Sequence, residues 1–276
     1  MSTVQHKTFE LESINDGIIR GDVRAPNNLD QKYPVAIVVH GFKGFKNWGF
    51  HPYLAEQLAL AGNIVVNINF SHNGVGEDLL NFTELDRFKD NRFSFEIDDL
   101  NRTIKALGTE AIPFAEFMDT EDITLLGHSR GAIAIFNAAL NNSKVKKVIG
   151  LATVSNVPPP REDTAKKWRE DGVTYIQNMR TKQELPLGIG LLDEMEEGKG
   201  SLENVVKNLN QQVLIIHGDK DEVVPFVNAE NLASWATYGN LRMIKEADHV
   251  FGARHPFQGS TAELKQAIDI IINFLS

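Results

Sequence analysis

The chain of 276 residues contains no cysteine. That absence excludes disulfide staples, thiolate-bound metal and a cysteine nucleophile. Long apolar runs are missing as well: stretches such as "VAIVV" at 35–39 are strand-sized, far short of the ~18 residues that span a bilayer. Positive charge is in deficit, with 28 Lys and Arg against 37 Asp and Glu and a formal net charge of -9. Nucleic acid and anionic lipid both need clustered cations, so neither is an expected partner. The opening "MSTVQHKTFELESINDG" has no basic stretch followed by an apolar leader, and the chain reads as soluble and cytoplasmic. Asn-x-Ser/Thr triplets at Asn81, Asn101 and Asn141 carry no weight outside a secreted context.

What is present is an alternation. Short apolar runs at 35–39, 63–70, 123–127, 146–152, 212–218 and 241–247 read as strands buried on both faces. Helical periods lie between them. In "RFSFEIDDLNRTIKALG" the residues Phe93, Ile97, Leu100, Ile104 and Leu107 form one apolar stripe to lay on a sheet. Such alternation implies right-handed crossovers and an α/β fold with a mostly parallel central sheet flanked by helices on both faces. The segments around "NDG" at 15–17 read as an antiparallel hairpin at its edge. Residues 1–276 are expected to form a single domain. The gap from 153 to 210 exceeds what one crossover needs, and with "NVPPP" at its start it reads as a small helical cap insertion.

Chemistry is carried by "GHSRG", with Gly127, Ser129 and Gly131 between a strand-like "ITLLG" and a helical "AIAIFNAAL". A tight strand-to-helix turn of this kind holds a serine up as a nucleophile; the plainer reading is a serine capping the helix. A serine needs a base, and the base needs an acid to fix its tautomer. "HGDKDEVVP" offers Asp219 and Asp221 after one strand, and "EADHVF" offers His249 after the next. Both lie at the strand ends where open α/β sheets build sites. Asp221 is the favoured acid, Asp219 being suited to the turn itself. His255 is the alternative base, while His40, His128 and His217 are expected to be structural or to line the site. No metal-ligand spacing joins these histidines, so neither metal nor cofactor is expected. A developing oxyanion wants two fixed N–H donors. Arg130, after the serine, and Phe42, after "HG" at 40–41, are positioned to supply them. Phe45, Trp48, His128, Trp168 and Tyr175 are candidate substrate contacts, with Met179, Leu187 and Leu191 as further apolar cap residues, although core packing would explain most of them equally.

The blocks "HGFKGFK", "GHSRG", "HGDKDEVVP" and "ADHVF" together resemble the α/β-hydrolase superfamily over the whole chain. The "HGF" loop and the turn "NFSHNGVGED" at 69–78 are most similar to small cinnamoyl (feruloyl) esterase-like and dienelactone-hydrolase-like members. The resemblance implies Ser129 as nucleophile, His249 as base, Asp221 as orienting acid and Phe42 and Arg130 as oxyanion donors. Two positions depart from it. Dienelactone hydrolases use a cysteine, which is absent here, and Ala132 stands where many relatives have a third glycine. The expected activity is hydrolysis of small acyl or aryl carboxylic esters through an acyl-enzyme. An amidase or acyltransferase on the same triad, or a binding protein with a vestigial site, are the alternatives.

Overall fold

The structure, a computed structural model, describes residues 4–140 and 142–276. The first three positions of the segment read for a leader, and Asn141, lie outside the described residues. Strands β1 (Val4–Glu12) and β2 (Ile18–Pro26) form the antiparallel edge hairpin. Then follow β3 (Tyr33–Val39), α1 (His51–Leu60), β4 (Ile64–Asn69), α2 (Leu85–Asp90), α3 (Phe93–Ala106), β5 (Met118–His128), α4 (Gly131–Ala139) and β6 (Val145–Leu151). The next stretch holds α5 (Glu162–Asp171), β7 (Val173–Gln177), β8 (Glu184–Gly188), α6 (Ile189–Glu196) and α7 (Glu203–Lys207). The chain closes with β9 (Gln212–Gly218), α8 (Val227–Trp235), β10 (Tyr238–Ile244) and α9 (Ala262–Leu275).

Eight strands make one sheet in the order β1-β2-β4-β3-β5-β6-β9-β10, parallel from β4 onward. The period of two sorts its side chains into two cores. Val35, Ile37 and Val39 of β3 pack with α3, α4 and α8 on one face, while Ala36 and Val38 pack with α1 and α9 on the other. α4 is apolar all round and almost wholly buried, as a helix under both sheet and neighbours must be. No described helix is long and apolar enough to cross a membrane.

Two expectations need correction. β10 runs from 238 to 244, three residues earlier than read, because as an edge strand it pairs only with β9 and leaves most of its side chains exposed. The segment expected to be helical also contains the antiparallel pair β7–β8. Pro186 sits within β8, which a two-stranded ribbon tolerates because each strand has a free edge. This segment is tied to the body by Glu194, whose carboxylate accepts the Ser94 N–H at the start of α3 (3.0 Å), a favourable charge at a helix N-terminus. A third, smaller apolar cluster of Phe45, Val75, Phe82, Phe88 and Leu185 packs beneath β8.

Candidate active site

Ser129 sits in the turn between the end of β5 and the start of α4, with φ at +55°. A non-glycine residue held there carries strain of about 1–3 kcal/mol. The surroundings fix it: its N–H donates to the Leu151 carbonyl (2.9 Å), and its own carbonyl accepts the Ala132 N–H (3.2 Å). Close packing around the turn depends on glycine. A Cβ on Gly131 would lie 2.8 Å from the His40 carbonyl oxygen, and one on Gly41 would lie 2.8 Å from the Ser129 Cβ. The loop after β3 is therefore pressed against the serine turn. The backbone N–H groups of Phe42 and Arg130 have no protein acceptor among the described residues.

His249, in the loop after β10, has Nδ1 2.8 Å from Asp221 Oδ2 and Nε2 3.1 Å from Ser129 Oγ. An ionised carboxylate only accepts, so Nδ1 carries the proton and Nε2 accepts from the serine hydroxyl. The Asp221 side chain is fully buried. Its Oδ1 accepts the N–H groups of Val223 (2.9 Å) and Val224 (2.8 Å). Burial alone would raise its pKa. Donors from His217, His249 and the Val224 N–H outweigh that and hold the carboxyl well below the usual carboxylate range.

Four sequence candidates occupy supporting places. His217, fully buried, directs Nε2 at both the Val224 carbonyl (2.9 Å) and Asp221 Oδ2 (3.1 Å). His128 Nε2 donates to the His249 carbonyl (2.9 Å), which anchors the loop bearing that ring. Burial pushes its pKa well down, and the neighbouring His249 adds to the effect. His40 donates from Nδ1 to the Gly41 carbonyl and accepts at Nε2 from the Phe70 N–H and Asn73. Asp219 accepts the Glu246 N–H (2.6 Å) and so ties the two loops without touching the imidazole. His255 lies apart: its Nδ1 accepts the Gly49 N–H (3.1 Å), and its ring packs on Phe45 and Trp48. Among the described residues no group of three His, Asp or Glu side chains converges as metal ligands.

A cleft of about 210 Å³ opens over Ser129 and His249. Phe42, Trp48 and His128 line it, joined by Lys43, His51, Asn178, Met179, Arg180 and Val250. Of the other proposed substrate contacts, Phe45 is buried in the small apolar cluster, and Trp168 is buried with its indole N–H donating to the Leu187 carbonyl. Leu191 is core, and Tyr175 is exposed on β7 away from the cleft. Large apolar residues in the inserted segment mostly satisfy its own packing. Lys43 and Arg180 were missed because nothing in a sequence distinguishes a loop cation that borders a cleft from a solvated one.

The buried ion pair of Arg130 with Glu96 was also unforeseen. Arg130 Nη2 lies 2.6 Å from Glu96 Oε1, and its guanidinium is 4.2 Å from the Phe42 ring centroid. One side chain thus bridges the two loops that carry the free N–H groups, with a cation–π contact as the clasp.

The sequence model of the BD-FAE family matches residues 22–236. A comparison with curated proteins gives no significant match. Solved structures sharing the architecture include Est1E from Butyrivibrio proteoclasticus, 17% identical over 99% of this chain and 98% of that one, with a TM-score of 0.72. The same protein with ferulic acid bound aligns at 19% identity over 96% and 97%, with a TM-score of 0.74. A dienelactone hydrolase from Anabaena variabilis aligns at 15% identity over 98% and 96%, with a TM-score of 0.63. At such identities the likeness is one of fold, the α/β-hydrolase fold.

Proposed function

Because the chain belongs to the BD-FAE family of esterase-like α/β-hydrolases, we propose that it is a serine esterase acting on small acyl or aryl carboxylic esters. The observation that carries this reading is one imidazole bonded to both a strained serine and a buried carboxylate. Ser129 Oγ attacks the ester carbonyl while His249 Nε2 takes its proton. The carbonyl oxygen becomes an oxyanion facing the N–H groups of Phe42 and Arg130. Collapse breaks the bond to the alcohol, which leaves with the proton from His249. Water then adds to the acyl-serine, giving His249 a proton that returns to Ser129 as the carboxylic acid departs. Asp221 stays ionised throughout and stabilises the imidazolium.

Residues 153–210 act in this reading as a cap on the single domain. Support comes from Asn178, Met179 and Arg180, which line the cleft from the turn between β7 and β8.

Ser129→Ala and His249→Ala should each lower kcat on a 4-nitrophenyl ester by about 10⁴–10⁶-fold. A fluorophosphonate probe, located by peptide mass spectrometry, should label Ser129 alone and lose its reaction in His249→Ala. Near wild-type turnover in either variant, or a label elsewhere, would sink the assignment.

A further inference from the structure

The protein is acidic overall, with a formal net charge of -9, yet among the described residues no Asp or Glu lines its cleft, and Lys43 and Arg180 do. The two cations come from separate elements, the loop after β3 and the turn between β7 and β8. Neither has a carboxylate partner among the described residues. Lys43 Nζ reaches the Gln177 carbonyl, at 3.5 Å, and lies 5.8 Å from the Phe42 ring centroid; Arg180 Nη2 reaches the Leu80 carbonyl, at 3.2 Å. Lys43 is half-buried and adopts φ of +57°, a conformation uncommon outside glycine. Burial lowers its pKa, with no neighbouring carboxylate to offset it.

A desolvated cation without a counter-charge is unfavourable, and an anion entering the same cleft would relieve it. Some cations of the inserted segment do find surface partners: Arg169 is held by Asp193 and Glu196, and Lys199 by Glu194 and Glu197. Lys43 and Arg180, which have no such partner among the described residues, both border the cleft over Ser129.

We propose that Lys43 and Arg180 form an anion subsite and that the preferred substrates are esters carrying a free carboxylate. The inference rests on the esterase reading above. Arg180 supplies a planar fork matched to a carboxylate, and Lys43 a compact point charge. The remaining wall, Phe42, Trp48, Met179 and Val250, accommodates the apolar part of the same molecule.

The test compares kcat/KM for paired esters: 4-nitrophenyl butyrate against mono-4-nitrophenyl glutarate, and methyl 4-acetoxybenzoate against 4-acetoxybenzoate. In at least one pair the anionic member should be favoured by about tenfold or more. That preference should shrink in Arg180→Met, survive in part in Arg180→Lys, and vanish in Lys43→Met/Arg180→Met. It should also weaken as salt rises from about 20 to 500 mM, since partly exposed charges are screened. Neutral esters preferred in both pairs, or a preference unchanged in the double variant, overturns the subsite. Loss of the esterase reading has a different signature, because turnover of the neutral esters would then survive Ser129→Ala.

Discussion

Arg130 bears on the Ser129 turn twice, through its backbone N–H and through a guanidinium buried between Glu96 and Phe42. Removing one member of a buried pair leaves the other charge uncompensated, at a cost of about 3–5 kcal/mol. Arg130→Met should therefore show that loss in urea denaturation, and Glu96→Leu added to it should restore most of the stability. A double variant no better than the single one would deny the pairing its energetic role. At this scale sequence reading went as far as local chemistry allows. Ser129 is announced by its glycines, and Asp221 is separable from Asp219 by distance from the strand end. Glu96 lies within "FSFEIDDL" beside the apolar stripe of α3, where a buried carboxylate looks like any solvated one. His217 was legible as a structural or site-lining residue, but its bond to Asp221 was not, since that depends on how the chain after β9 folds back.

The loop after β3 is the element on which the geometry of the proposed oxyanion donors turns. Gly41 permits its approach to Ser129, and an added Cβ would meet the Ser129 Cβ at 2.8 Å and the His128 carbonyl oxygen at 2.9 Å. Gly41→Ala should displace the Phe42 N–H and lower kcat by about 10²–10³-fold, the usual cost of one oxyanion donor. Circular dichroism should remain that of the folded protein; unchanged kcat would mean that Phe42 donates nothing. Strand and helix placement was readable wherever burial imposes a period, as in β3, β5, β9 and α3. It failed at β10, which has one neighbour and a mostly exposed face. It failed also at β7–β8, whose side chains answer to a small local cluster rather than to the main sheet.

For the whole molecule, buried histidines set the response to acid. Burial holds His40 at about 3 and His51 and His72 at about 4, against ~6.5 in an unfolded chain. The unfolded state binds their protons first, so stability falls as pH drops below about 6.5 toward 4. Asp99, raised by burial to about 6, acts oppositely: its contribution is full below about 4 and lost as pH rises through 6. Each group changes stability by at most ~1.4 kcal/mol per pH unit. With His128 also held low by burial, the histidines outweigh the one aspartate and stability declines on balance. Urea midpoints should therefore be clearly lower at pH 5 than at pH 7; a flat profile would show that these rings are already accessible. The α/β class and the mostly parallel sheet were within reach of sequence because alternation and crossover handedness leave few topologies. His249 stands 120 residues downstream of Ser129, on a loop following β10. During synthesis, which proceeds from the N-terminus, the serine turn emerges well before its imidazole exists. A ribosome-bound chain ending anywhere before 249 thus lacks the base that the proposed mechanism requires.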